Sequence, residues 1–84
     1  MLHKVKKVEY LNDFKLKLKF NDQKTKIVDF SDWLSDGEGY LIPLKNIEYF
    51  KKVKLDDFEY TICWPNGADF CPDALYDIGK ETDF

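Results

Sequence analysis

Residues 14–20 read Phe-Lys-Leu-Lys-Leu-Lys-Phe, and this alternation restricts the possible folds more than any other stretch of the chain. A β-strand sends successive side chains to opposite faces, so Phe14, Leu16, Leu18 and Phe20 share one face and Lys15, Lys17 and Lys19 the other. A helical winding would spread the lysines around every side. The segment therefore predicts a strand with one buried face and one wet face. The preceding Val-Lys-Lys-Val-Glu-Tyr-Leu is also extended in character, and its apolar positions slip register between Val5 and Val8, which predicts a bulge. Asn12-Asp13 supplies the turn between these two strands. Asn21-Asp22-Gln23 turns the chain into a third strand over residues 24–30, with Val28 and Phe30 inward. The result is a three-stranded antiparallel meander.

The pattern then changes. Ser31 is a candidate N-cap for a short helix, Ser-Asp-Trp-Leu-Ser-Asp, with Asp32 near its positive end and Gly37 and Gly39 stopping it. Asn46 is a second cap, opening Ile-Glu-Tyr-Phe-Lys-Lys. Residues 52–56 and 58–64 predict a hairpin around Asp56-Asp57, with Tyr60, Ile62 and Trp64 on one face and Thr61 and Cys63 on the other. In residues 64–77, Pro65-Asn66-Gly67 is turn chemistry. Pro72 suits the first position of a helix, with Asp73 in its first turn, Leu75 and Ile78 toward the core and Gly79 as the stop. The tail Lys-Glu-Thr-Asp-Phe is polar enough to stay loose. The expected fold class is α+β in the order βββαββα, one domain spanning residues 1–84 with its core over about 4–79.

Composition narrows the functional classes. With 84 residues, 44% of them hydrophobic and 17% aromatic, the chain supports one aromatic-rich core. No apolar run reaches the ~18–20 residues of a membrane span, and the N-terminus lacks the apolar region of a signal peptide. A cytoplasmic protein with no membrane partner is expected. Cys63 and Cys71 are too few and wrongly spaced for a disulfide framework or a zinc ribbon, and the one histidine, His3, falls near an end expected to fray, so neither metal nor cofactor is expected. Cys71 sits at a helix start, which lowers a thiol pKa, but no Cys-His pair can be assembled. The chain is not expected to be an enzyme.

Charge is unevenly spread. Residues 1–27 carry eight lysines against three acids, residues 28–68 four against eight, and residues 69–84 one against five, giving +5, −4 and −4. All thirteen basic residues are lysine, which disfavours the bidentate recognition of phosphate and guanine that arginine provides. The face of Lys15, Lys17 and Lys19, with Lys4, Lys6, Lys24 and Lys26 as possible additions, is a candidate nucleic-acid footprint. A solvated sheet face explains it better, because the aromatics that single-strand binders interleave with lysine fall on the opposite side. Asp73 and Asp77, four apart on one helical face near Asp69, have the spacing to hold a hard cation, but a solvated helix surface or a patch for a basic partner explains them without a metal. Trp33, Tyr40, Tyr49, Trp64 and Tyr76 are too many rings for a small core to hide, and exposed Trp and Tyr serve as interface anchors. The candidate partner-binding set is Trp33, Trp64, Asp69, Asp73, Tyr76 and Asp77.

Three blocks carry a family resemblance: KLKLKFNDQKTKIVDFSDWL, LKNIEYFKKVKLD and TICWPNGADFCPDALYD. Together they resemble the small prokaryotic proteins grouped as domain of unknown function 2442, over about residues 4–79. One departure is Asn21-Asp22-Gln23, where the family commonly has an acidic-Gly turn. The resemblance implies a compact α+β domain with a meander, a helical segment, a hairpin and a final helix, and it brings no catalytic residues. Some relatives look like the front half of longer proteins ending in a helix-turn-helix domain, and others sit beside a second small protein in what looks like a toxin–antitoxin-type gene pair. The combined expectation is a protein-interaction module, antitoxin-like within a two-protein system, that binds a small partner or self-associates. Nucleic-acid binding through the lysine face is the alternative.

Overall fold

The structure is a computed structural model that describes residues 3–56, 58 and 60–82. Strands β1 (Val5–Tyr10), β2 (Lys15–Phe20) and β3 (Thr25–Asp29) form the expected antiparallel meander. Leu16, Leu18, Phe20, Val28 and Phe30 are fully buried on its inner face, each stabilising the fold by roughly 1.5–3 kcal/mol through burial. The Val5/Val8 slip is a bulge: Val5 lies opposite Phe20 and Lys7 opposite Lys19, so β1 spends one extra residue there. That extra residue returns Val8 and Tyr10 to the inner face, where they pack against the core.

Helix α1 (Ser31–Ser35) follows, then two 3₁₀ turns, Gly39–Leu41 and Pro43–Lys45, and the single turn α2 (Ile47–Phe50). Asn46 caps α2 as expected, its Oδ1 accepting the Glu48 N–H at 3.0 Å. Ser31 does not cap α1. It is the first helical residue, and its N–H donates to Asp29 Oδ1 at 2.9 Å, so the preceding aspartate satisfies that donor. Strands β4 (Lys54–Asp56) and β5 (Thr61–Cys63) form a separate two-stranded ribbon. Asp57, expected in its turn, lies outside the described residues. Tyr60, expected on the inner face with Ile62 and Trp64, instead precedes β5 with φ of 57° and is 40% exposed.

The run 64–71 turns a corner. Gly67 adopts φ of 91°, its N–H donates to the Trp64 carbonyl at 2.9 Å, and the Trp64 N–H donates to the Ala68 carbonyl at 2.9 Å. Asn66 accepts from the Ala68 N–H and donates to the Tyr40 carbonyl, tying the corner to the first 3₁₀ turn. Asp69 then bridges back to Cys63. Helix α3 (Pro72–Ile78) starts at Pro72 and buries Leu75, whereas Ile78, expected in the core, is 44% exposed.

The chain past α3 departs from the expected loose tail. Lys80–Glu81 forms β6, pairing with Ile27 and Lys26 and extending the meander to a four-stranded sheet, β1-β2-β3-β6. Gly79 makes this possible: a Cβ there would lie 2.8 Å from the Lys26 Cβ, so only glycine lets the chain pass so close to β3.

Candidate functional site

The candidate residues divide among the core, an open cleft, a polar hub and the solvated surface. Trp64 belongs to the core. It is 1% exposed, its Nε1–H donates to the Phe50 carbonyl at 2.9 Å, and its ring meets those of Phe30, Phe50 and Phe70. It is therefore not the exposed anchor suggested by its sequence, because the corner that follows it folds the ring inward. Asp69 and Asp77 are exposed.

Trp33 is half-buried. Its ring stacks on Phe70 at 4.8 Å and meets the edge of Phe30, so one face of the indole is held by the core. The residue also lines an open cleft of about 1110 Å³ together with Tyr10, Ile27 and Ile78. This cleft runs from the outer face of β3 to the ends of α1 and α3. Its charged lining is Glu9, Asp29, Asp32 and Glu81 against Lys15 and Lys80, so acids outnumber bases. Asp29 is held below the usual carboxylate range chiefly by the Ser31 N–H it accepts, and it stays ionised at neutral pH.

Tyr76 and Asp73 meet in a polar hub on the other side of α3. The Tyr76 hydroxyl donates to Asp22 Oδ2 at 2.6 Å. The imidazole of His3 stacks on the phenol ring at 3.6 Å, and Lys26 Nζ stands 3.6 Å from the same ring centroid, so the two must occupy opposite faces. Lys26 Nζ also donates to the Tyr76 carbonyl at 2.7 Å. Asp73 Oδ1 accepts the His3 N–H at 3.0 Å and lies 2.8 Å from His3 Nδ1. An ionised carboxylate only accepts, so Nδ1 carries the proton. Lys24 and Glu81 form an ion pair at 2.8 Å beside this group.

The electrostatic consequences follow from those contacts. The Tyr76 hydroxyl lowers the Asp22 pKa and Asp22 in turn raises that of Tyr76. His3 lowers the Asp73 pKa, while Lys24 and Glu81 shift each other up and down respectively. Two expectations change here. His3 does not fray, because Asp73 and the Tyr76 ring hold it and Asn21 accepts the next N–H, that of Lys4. Lys26 does not join the outer lysine face. Its even register places it inward, where it is 8% exposed. The hub was hidden in the sequence because His3, Asp22 and Tyr76 are far apart along the chain.

Lys15, Lys17 and Lys19 do line the outer face of the sheet, where Glu9 lies opposite Lys17 and Asp29 opposite Lys15. Among the described strand pairs of this sheet, only Lys7 and Lys19 face each other as like charges. Cys63 is pushed up by burial, the direction of an inert thiol. Among the described residues, no group of three or more His, Cys, Asp or Glu side chains is arranged to hold a metal ion, and no helix is long and apolar enough to cross a membrane.

No curated protein and no solved structure matches the chain. A family model described as a protein of unknown function matches residues 5–81, from the first strand to the last, and the chain therefore belongs to the DUF2442 family.

Proposed function

We propose that this chain is a non-enzymatic protein-interaction module that receives a segment of a small partner protein in the Trp33 cleft. The observation that supports this most directly is the composition of that cleft. A half-exposed tryptophan, the exposed Ile78 and the outward Ile27 share one concavity whose charged lining is net acidic. Aromatic anchors and depressed charge at the centre, with polar groups around them, are the usual anatomy of a binding patch. The acids select a segment that combines an apolar side chain with lysine or arginine. The hub does not compete as a reaction centre, because Asp22, Asp73, Tyr76, Lys24 and Glu81 are already committed to one another or to His3. In a two-protein system the module takes the antitoxin-like part, masking its partner by occupying it at a fixed ratio.

The test is affinity capture of the tagged full chain from its own host, alongside an Ile78→Lys variant. The expected result is one small protein at a constant ratio with the wild type and its loss with the variant, since a lysine in the acidic cleft repels a basic segment. Recovery of the bare monomer, or of a protein that the variant binds equally well, overturns the reading. Nucleic acid recovered with steep salt dependence, and lost on replacing Lys15, Lys17 and Lys19 by glutamate, transfers the function to the outer sheet face.

A further inference from the structure

Asn66-Gly67 is the only asparagine–glycine step in the chain, and it lies in the corner that folds Trp64 inward. The glycine nitrogen in such a step has no neighbouring Cβ to shield it, so it can approach the asparagine side-chain carbon closely. Asparagine is thermolabile for this kind of reason. The folded corner holds both reacting groups apart from that use. Gly67 takes φ of 91°, and its N–H is committed to the Trp64 carbonyl at 2.9 Å. Both ends of the Asn66 amide are engaged as well: Oδ1 accepts the Ala68 N–H at 3.1 Å, and Nδ2 donates to the Tyr40 carbonyl at 3.0 Å. Cyclisation needs the glycine nitrogen unbonded and the amide carbon turned towards it. Gly67 is exposed and Asn66 half-buried, so water reaches the bond as soon as the corner opens.

We infer that Asn66 is a deamidation site kept closed by the folded corner, and that its conversion releases the 3₁₀ turn Gly39–Leu41. The step balances with water alone. The Gly67 nitrogen gives its proton to solvent and bonds to Asn66 Cγ, while the Cγ–Nδ2 bond breaks and Nδ2 takes up a proton and leaves as ammonia. Water then opens the cyclic imide at one of its two carbonyls, giving aspartate or the isomer whose main chain runs through the side-chain carbonyl. Aspartate keeps an acceptor for the Ala68 N–H, but it has no donor for the Tyr40 carbonyl and sets a charged oxygen against it. The isomer adds a main-chain methylene inside a turn closed by two hydrogen bonds of 2.9 Å, from Gly67 to Trp64 and from Trp64 to Ala68. Either product cuts the tie to a lightly held segment. Leu41 packs on the core, but the N–H groups of Leu41 and Ile42 make long bonds of 3.2 Å within the segment, and Tyr40 and Ile42 are 70% and 57% exposed. Residues 39–42 do not line the Trp33 cleft, so this device stands apart from the proposed binding site.

The experiment ages the full chain at mildly alkaline pH, folded and in urea, and follows each asparagine by peptide mapping with mass spectrometry. The expected result is conversion at Asn66 in urea and conversion at least about tenfold slower in the folded chain, because only the locally opened fraction reacts. Asn12, Asn21 and Asn46, which precede aspartate or isoleucine, keep their amides over the same period. In a second arm, Asn66→Asp reproduces one product, and amide exchange at Leu41 and Ile42 should rise about tenfold with β2 unchanged. Folded wild-type chain aged until Asn66 has converted should show the same rise, so the readout does not depend on how the variant folds. Equal rates in folded and denatured chain, earlier conversion at another asparagine, no conversion of Asn66 in urea, or unchanged exchange at Leu41 and Ile42 once Asn66 has converted would each overturn the inference.

Discussion

The inner face of the sheet is covered by two very different materials. At one end, Phe30, Phe50, Trp64 and Phe70 pack with centroids 5.1–6.2 Å apart, edge-to-face except for Phe50 and Trp64, which are tilted at 39°, and the one polar side-chain atom of the four, Trp64 Nε1, has its acceptor. At the other end, Tyr76 and His3 set their rings edge-on to Phe20 and are tied by hydrogen bonds to Asp22, Lys26 and Asp73, with Asp22 exposed and Asp73 half-exposed. The first region is held by area removed from water and is indifferent to pH and salt. The second is held by charge-assisted contacts in a high dielectric, where each adds little, so it docks α3 and β6 in the right place more than it stabilises them. The candidate cleft takes one wall from each region, Trp33 from the aromatic end and Ile78 and Lys80 from the elements docked by the hub.

This contrast can be broken most severely at Trp64. Trp64→Ala is expected to cost about 3–5 kcal/mol, from lost burial plus loss of the shorter of the two hydrogen bonds to the Phe50 carbonyl, which keeps only the Val53 N–H at 3.2 Å, and to lower the thermal midpoint by tens of degrees or abolish cooperative unfolding. A loss below about 1 kcal/mol by chemical denaturation would mean that the aromatic end does not dominate. Gly79→Ala comes next. The new methyl would press on the Lys26 Cβ at 2.8 Å and the Leu75 carbonyl at 3.0 Å, so about 1–3 kcal/mol is expected, with amide exchange rising in β6 before β1 or β2. Uniform loss of protection across the sheet would contradict the separate docking of that strand.

A smaller effect of opposite sign is expected at the β2–β3 turn. Gln23 adopts φ of 74° there, so Gln23→Gly should gain about 0.5–1 kcal/mol as relief of left-handed strain outweighs the entropy of glycine. A lower thermal midpoint for that variant would show that the Gln23 side chain does something beyond occupying the turn.

The subtlest test is the pH profile. Asp22, Asp73 and Glu81 have lowered pKa values, so their contribution is complete above the unfolded carboxylate range and fades as pH falls through the depressed values. Tyr76 is raised, so its contribution is present below its ordinary value of 10.0 and fades as pH rises through the shifted one. The expected curve is a broad neutral plateau with a shallow acid shoulder, reduced in a Tyr76→Phe, Asp73→Asn double variant. An acid limb identical in wild type and variant would show that the hub carries none of the dependence.

How much of this was legible beforehand differs by region. The alternation in β2 and the Val5/Val8 slip announce the meander, its buried face and even its bulge, because period-two patterning and a one-residue insertion are local properties. The Pro65–Gly67 corner and the Pro72 helix start are equally local. The hub was not legible. His3 looks like an unremarkable terminal residue until α3 brings Asp73 and Tyr76 to it, and Lys26 resembles its neighbouring lysines until the register turns it inward. The strand in the tail has no signal in the sequence because a polar two-residue strand has no pattern of its own; β6 exists only because Gly79 lets it reach the open edge of β3. The two tryptophans were indistinguishable as candidate anchors, since both follow the same composition rule.

The sequence by itself determined the α+β class, the order of the main elements, which face of the meander is buried, and the family to which the chain belongs. These rest on side-chain periodicity and turn chemistry, which act within a few residues. The tertiary structure alone decided that Trp64 is core while Trp33 lines a cleft, that Ile78 and Phe58 stay outside, and that two distant stretches, His3 and residues 20–26, close around Tyr76. Burial and polar pairing are properties of what the rest of the chain brings alongside a residue, and no local rule contains that.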